Sequence, residues 1–454
     1  DYVPVQRVLR KGYDNGNRGG EAVLTTQWVM GDLEKVGMLK MDFLGLRTLT
    51  VVENTFKLIV KDRVLGRSGT RGTPGNKPLS EWREPAFHDA IEAIKDSDPR
   101  TYDLLTRELK GIPLDDKATF ALLQKGDAKG VFQMESDGIR ELLKRMKPDN
   151  VRDLIATNAL YRPGPLGGGM VDAYVNRKHG REKPVYEHAV MEEVLAETYG
   201  VLIYQEQVMR VLNRLGGIEL ASAYACIKAI SKKKQEIIDE RRVQFVKGAT
   251  AQGLDEATAV KIWDLIVQFA GYGFNKSHSA AYALLGYQTG YLKTHYTPEF
   301  MAALLSSEIE DSNKRDLMVQ HIEDAKKLGV EVLPPDAQTC EPDFTVEGGK
   351  ILFGLCAVKG LGRGAAEEIR RVRIAGGPFK DIFDFCERID HKQVPKAAIE
   401  KLIKAGGLDR LGGHRAQLYE ALGRAMESAG QTQEDKRHGQ GNLFETFGET
   451  TTEA

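Results

Sequence analysis

Several short strings in this sequence combine residue types that chemistry on phosphates requires. In Lys40-Met41-Asp42-Phe43-Leu44-Gly45-Leu46, one carboxylate stands among apolar residues near an expected strand end. Asp42 could point at a bound cation, because a hard ion such as Mg²⁺ takes oxygen ligands and two-metal phosphoryl transfer is built on carboxylates. A capping or surface aspartate has the same spacing. In Tyr161-Arg162-Pro163-Gly164-Pro165 the prolines fix the backbone, and the Arg162 fork could grip phosphate from a rigid turn. A plain surface turn fits this string too. Tyr204-Gln205-Glu206-Gln207 opens a helix, either to orient a ligand or only to form its first turn. The string from Gly271 to Ser279, GYGFNKSHS, combines glycines and Asn275 for a tight turn with Lys276 and His278. Ser277 is expected to cap the helix that follows. Backbone N–H groups there, with the two basic side chains, would suit a triphosphate; a well-capped helix carrying an exposed Lys and His is the alternative.

Three further strings suggest macromolecular partners. Lys228, Lys232-Lys233-Lys234 and Arg241-Arg242 form a basic run with acidic neighbours. Such a run is a solvated face unless it lines a groove and tracks phosphates. Val358-Lys359-Gly360-Leu361-Gly362, followed by a helical stretch from Arg363, has the form of a helix–hairpin–helix. Its glycines let backbone N–H groups approach a DNA phosphate without reading sequence. Residues 399–411 look like a second, degenerate unit, and a structural turn between helices is the alternative for both. Gln440-Gly441-Asn442-Leu443-Phe444 places an apolar pair in a polar stretch, a candidate for a partner's apolar pocket or for docking on the chain's own surface.

The elements that must position these groups are mostly helical. Apolar spacing predicts an amphipathic helix over 48–60 and a series of helices from Pro113 to about Glu308, punctuated by Pro and Gly. Residues 22–30 read as a strand, the stretch to about Gly20 as loop, 66–79 as a flexible loop or insertion, and 343–355 as a small hairpin around Gly348-Gly349. The 454 residues suggest two to four domains. Lys plus Arg (64) and Asp plus Glu (65) nearly cancel, so a nucleic-acid partner would be met by local patches. The four cysteines show no C-x-x-C spacing, which argues against a zinc site and further against a disulfide framework, and suits a reducing cytoplasm. No apolar run suggests a membrane span. The opening at Asp1 reads mid-stream, so a piece of a longer polypeptide is expected.

Taken together and in order, LKMDFLGLRTLT, GVFQMES, LYRPGPL, YGVLIYQEQVM, FAGYGFNKSHSAAYALLGYQTGYLK and YTPEFMAALL resemble the C-family bacterial DNA polymerases, the alpha subunits of DNA polymerase III. The likeness runs from about Val36 to Phe444. It implies a mainly α, multidomain fold: a small α/β palm remnant (1–60), an insertion or linker (61–111), a large helical fingers domain (112–310), a connector with a hairpin (311–354), a tandem helix–hairpin–helix region (355–425) and a flexible tail (426–454). It implies that Asp42 is the third of three metal-binding catalytic aspartates in a site for two Mg²⁺ ions. Lys40 would lie near the incoming dNTP. Arg162, Lys228, Asn275, Lys276, Ser277 and His278 would contact that nucleotide; Lys359, Gly360, Gly362 and Arg363 would grip primer–template DNA. Gln440, Leu443 and Phe444 would bind the sliding clamp (beta). Clamp loader and proofreading exonuclease are the further partners implied, in the cytoplasm and away from membranes.

Two departures stand out. The family often has an arginine pair where this chain has Ile227-Lys228, and a lysine replaces one of them only as a point charge. The other two aspartates belong upstream, so a polypeptide of these residues alone is expected not to polymerise. The rival readings are a non-catalytic DNA-binding and clamp-docking module, and an error-prone paralogue of the same family.

Overall fold

The computed structural model describes residues 3–9, 22–41, 45–65, 85–270, 273–309 and 315–437. The chain divides into two compact units, Asp1–Arg47 and Thr48–Ala454.

In the first unit, β1 (Val5–Leu9) pairs antiparallel with β2 (Ala22–Thr26), Val5 opposite Thr26 and Leu9 opposite Ala22. Strand β2 was expected from its β-branched run; β1 replaces the loop expected there. Its Val and Leu residues suit a pleated surface once β2 supplies the ladder. A one-turn helix, α1 (Met30–Lys35), follows, and residues 36–41 have no regular structure. None of the unit's described residues is buried, and Leu24, Val29, Leu39 and Met41 stand exposed. Asp42 lies outside the described residues.

The second unit is helical. Helix α2 (Arg47–Ile59) appears where the apolar spacing placed it and buries Val51, Val52, Phe56 and Ile59 along one face. It runs on into a π-turn, Val60–Leu65. Next come α3 (Pro85–Glu92), α4 (Pro99–Arg107), α5 (Lys117–Gln124), α6 (Asp137–Met146) and α7 (Val151–Leu160). Asp98, Asp116 and Asn150 cap α4, α5 and α7 by accepting backbone N–H bonds. Short α8 (Pro163–Gly167) and α9 (Met170–Lys178) are followed by α10 (Ala189–Leu195), α11 (Gln205–Arg214), α12 (Leu220–Ser231), α13 (Gln235–Ala251) and α14 (Glu256–Ala270). Helices α10 to α14 close over their own core around Trp263, Phe245, Val208 and Leu212.

The longest of the inner helices, α15 (Lys276–His295), packs along α7 and returns the chain to the core shared by α2, α4, α5 and α6. Close approach requires Gly286: a Cβ there would stand 2.9 Å from the Phe132 carbonyl. Helices α16 (Thr297–Glu308) and α17 (Arg315–Lys327) complete that core. The expected hairpin is present as β3 (Thr345–Glu347) and β4 (Lys350–Leu352), with Gly348 and Gly349 at φ 57° and 76°. A separate core then joins α18 (Arg363–Gly376), α19 (Ile382–Arg388), α20 (Lys396–Lys404) and α21 (Arg415–Arg437). No disulfide joins the four cysteines. Among the described residues no helix is long and apolar enough to cross a membrane.

Candidate functional site

The turn entering α15 gathers four of the strings singled out above. Phe274 forms a parallel bridge with Tyr204: its N–H donates to the Ile203 carbonyl (3.3 Å), and its own carbonyl accepts from Gln205 N (2.9 Å). This two-residue clip fixes the start of α11 against the start of α15. The Gln207 side chain locks the clip from behind: its Oε1 accepts from Ile203 N and Tyr204 N (2.9 and 3.0 Å), and its Nε2 donates to Thr198 Oγ1 (2.8 Å). Burial pushes the Tyr204 phenol above its ordinary range, so it stays neutral.

On the outer side a stack of planar groups runs across the surface. The Arg162 guanidinium lies 3.7 Å above the Phe274 ring. Phe274 meets His278 edge-on at 5.3 Å, His278 lies over Tyr282 at 4.2 Å, and Tyr282 tilts against Phe132 at 5.2 Å. Arg162 is exposed and engages no carboxylate among the described residues. Its position follows from α7, which ends at Leu160, and from the prolines that turn the chain into α8. Ser279 Oγ donates to the Ile155 carbonyl (2.6 Å) and ties α15 to α7.

The helix start is capped by Asn275, whose Oδ1 accepts from His278 N (2.8 Å), and not by Ser277. Asn275 precedes the first helical residue, whereas Ser277 is already inside the first turn and exposed. Two carboxylates, Glu206 of the 204–207 string and Glu197, complete the turn. Glu206 accepts from Lys276 N (3.0 and 3.2 Å) and Asn275 Nδ2 (2.9 Å); Glu197 accepts from Lys276 Nζ through both oxygens (2.7 and 2.8 Å). Glu197 and Lys276 are 79 positions apart, so no local pattern could reveal the pair. Beside it lies a cavity of about 270 Å³ lined by Glu197, Glu206, Gln207, Arg210, Lys276, Ser277 and Ala280.

Arg162, Asn275, Lys276, Ser277 and His278 thus share one surface. Lys228 is exposed on α12, its amine 4.6 Å over Tyr224, and no bonding contact joins it to that surface among the described residues. Lys40 is exposed in the first unit. Gln440, Leu443 and Phe444 lie outside the described residues. No group of three or more His, Cys, Asp or Glu among the described residues could hold a metal ion. By themselves, then, these residues do not fit a pair of Mg²⁺ ions.

The second candidate region is the hairpin before α18. Val358 and Leu361 are buried, and Leu361 N donates to the Val358 carbonyl (3.0 Å), leaving Lys359 and Gly360 exposed at the tip. Gly360 has φ 91°, which an L side chain rarely adopts, and a Cβ there would meet Lys401 of α20 at 3.3 Å. Gly362 opens α18, and Arg363 forks onto Asp343 (2.8 and 3.0 Å). The second unit follows the same plan, with Gly406 at φ 86° after α20 and Gly412-Gly413 before α21.

Residues 85–253 match the bacterial DNA polymerase III alpha subunit finger domain, and residues 329–418 match a helix-hairpin-helix motif. The chain is 43% identical over 425 residues to the DNA polymerase III subunit alpha of Vibrio cholerae, covering 92% of this chain and 33% of that one. Identity to the same subunit is 41% over 442 residues in Pseudomonas aeruginosa (93% of this chain, 34% of that one) and 40% over 430 residues in Escherichia coli K12 (93% and 34%). The chain therefore spans about a third of the length of the curated relatives it matches.

Proposed function

This chain belongs to the bacterial DNA polymerase III alpha-subunit family, and from that premise we propose that it supplies the nucleotide-binding fingers and the duplex-gripping part of a template-directed DNA polymerase. The convergence of Phe132, Arg162, Tyr204 and the 274–278 turn on one surface carries the reading.

In the reaction, a primer 3′-hydroxyl attacks the α-phosphate of a dNTP and pyrophosphate leaves. When bound, two Mg²⁺ ions supply charge neutralisation and Lewis acidity. Asp42 offers one carboxylate to them, and the remaining ligands must come from other residues. The fingers act by positioning and electrostatics. Arg162, free of a carboxylate and stiffened by Phe274, presents a fork to phosphate oxygens. Lys276 joins it only on leaving Glu197, and Asn275 holds the turn's shape. His278, stacked on Tyr282, presents an imidazole edge to the same ligand. Lys228 and Lys40 bring point charges to the same nucleotide.

The hairpin at 358–362 and its second copy grip duplex DNA through backbone N–H groups and Lys359. Arg363 joins them only on leaving Asp343. Gln440, Leu443 and Phe444 dock the sliding clamp, in a cytoplasmic assembly with clamp loader and proofreading exonuclease.

The test is primer extension with the full-length subunit. Arg162→Ala is expected to raise the dNTP KM by about tenfold or more, the scale of a lost charge-assisted contact. An unchanged KM would remove Arg162 from the site. A polypeptide of these 454 residues is expected to give no extension with Mg²⁺; measurable extension would overturn the role assigned to Asp42.

A further inference from the structure

The Lys276 ammonium is engaged before any ligand arrives. Its Nζ donates to both oxygens of Glu197 (2.7 and 2.8 Å) and lies 5.4 Å from the centroid of the Tyr204 ring. The backbone beneath it is fixed separately: Lys276 N donates to Glu206, and His278 N donates to Asn275 Oδ1. The side chain can therefore turn out of this contact without moving the start of α15. Glu197 is held in place too. It stands in the short turn Ala196–Thr198 that follows α10. Its neighbour Thr198 is buried, with its hydroxyl bonded to the Val201 carbonyl (2.7 Å) and to Gln207 Nε2 (2.8 Å). The mobile part of the pair is thus the flexible lysine stem.

The cavity beside the pair is lined by two carboxylates, Glu197 and Glu206, and two cations, Lys276 and Arg210, so its charges cancel while Lys276 stays in. Turning Lys276 outward leaves the two carboxylates against Arg210 alone. A ligand that takes the ammonium must offset that loss. We propose that Glu197 is a latch on Lys276: it holds the ammonium in the empty site, and the phosphates of a nucleoside triphosphate gain it only by displacing the carboxylate. This rests on reading the 274–278 surface as the nucleotide site. Apparent affinity then falls with the fraction of Lys276 that is unlatched. The two side chains stay 38% and 34% exposed, which puts the pair among the weak ion pairs and the latch at a factor of about two to five.

The experiment uses the full-length subunit on a primed template. Steady-state kinetics give the KM of each dNTP, and inhibition by tripolyphosphate reads phosphate affinity without a base or sugar. Glu197→Gln is expected to lower the KM of all four dNTPs and the tripolyphosphate inhibition constant by about two- to fivefold. Glu197→Asp keeps the charge but draws it back by one methylene, so it should lower both constants by less. Lys276→Gln should raise both. The double variant Glu197→Gln/Lys276→Gln should match Lys276→Gln alone, because no ammonium is left to release. A carboxylate that only braced this turn would give the opposite sign, its loss raising KM and lowering the melting temperature. If Lys276→Gln raises the constants and Glu197→Gln leaves or raises them, the latch falls and the nucleotide site stands. If Lys276→Gln moves neither constant, the 274–278 turn is not the phosphate site and the latch falls with it. A Glu197→Gln gain that survives in the double variant would come from the general field of the removed charge, and would overturn the proposal as well.

Discussion

Replacing Lys293 with methionine should open the segment between α5 and α6 locally by about three orders of magnitude. Lys293 faces inward from α15 and is wholly buried. Its Nζ donates to Asp324 Oδ2 of α17 (2.6 Å) and to the carbonyls of Asp127 (2.9 Å) and Lys129 (2.8 Å). Burial holds its pKa below the ordinary range even though Asp324 pulls it up. Methionine fits the same space without any donor. Stranding one member of a buried ion pair costs about 3–5 kcal/mol. Each orphaned carbonyl adds about 1 kcal/mol, but neighbouring terms do not sum. A loss of about 4 kcal/mol is close to a thousandfold in an opening constant, at about 1.4 kcal/mol per decade. Native-state hydrogen exchange reads this at Val131, Phe132 and Met134, whose N–H groups donate to the Ala128 carbonyl, Thr289 Oγ1 and the Val131 carbonyl. The double variant Lys293→Met/Asp324→Leu should restore much of the protection, because no carboxylate is left unpaired. Protection in the single variant within tenfold of the parent would refute this reasoning. So would a double variant no better protected than the single one.

Three other outcomes are expected. Asp116 caps α5 and lies 2.8 Å from His295 Nε2; burial acts to raise its pKa, but hydrogen bonds from His295 and Thr119 outweigh it and hold the carboxyl below its usual range. The stability it contributes is therefore present above about pH 4 and lost as the pH falls through its lower folded-state value. In urea titrations between about pH 6 and pH 3, Asp116→Asn should flatten the acid loss, and an identical pH profile would count against the assignment. Gly360→Ala forces a side chain to φ 91° and against Lys401, so it should cost about 1–2 kcal/mol and weaken duplex DNA binding severalfold in fluorescence anisotropy at fixed salt. Pull-down with a sliding clamp should fail for Leu443→Ala/Phe444→Ala; undiminished capture would remove the clamp role from that peptide.

The helices that apolar periodicity could mark were legible. α2, α5, α7, α11, α14 and α15 stand where their spacing placed them, most of them burying one face and α15 enclosed on all sides over Thr289–Lys293. The β3–β4 turn was equally plain, because paired glycines at positive φ have few other uses. Strand β1 was missed because its pairing with β2 depends on a partner well removed in sequence. At the site, the sequence offered Lys276 and not the anion that holds it. Arg162, Glu206, Lys276 and His278 sit in recognisable strings, whereas Glu197 matters through a contact across 79 positions. The cap was misjudged for a related reason: Asn275 and Ser277 are both good caps, and only the helix start at Lys276 decides between them.

The hydroxyl bond from Ser279 to the backbone of α7 limits how this region can move. Arg162 stands at the end of α7 and His278 at the head of α15, so the two are mounted on interlocked struts. If this surface takes the nucleotide proposed above, a swing of the region would carry both as one bracket. Closure would then deliver a preset spacing of charges, leaving little to be assembled around each arriving substrate.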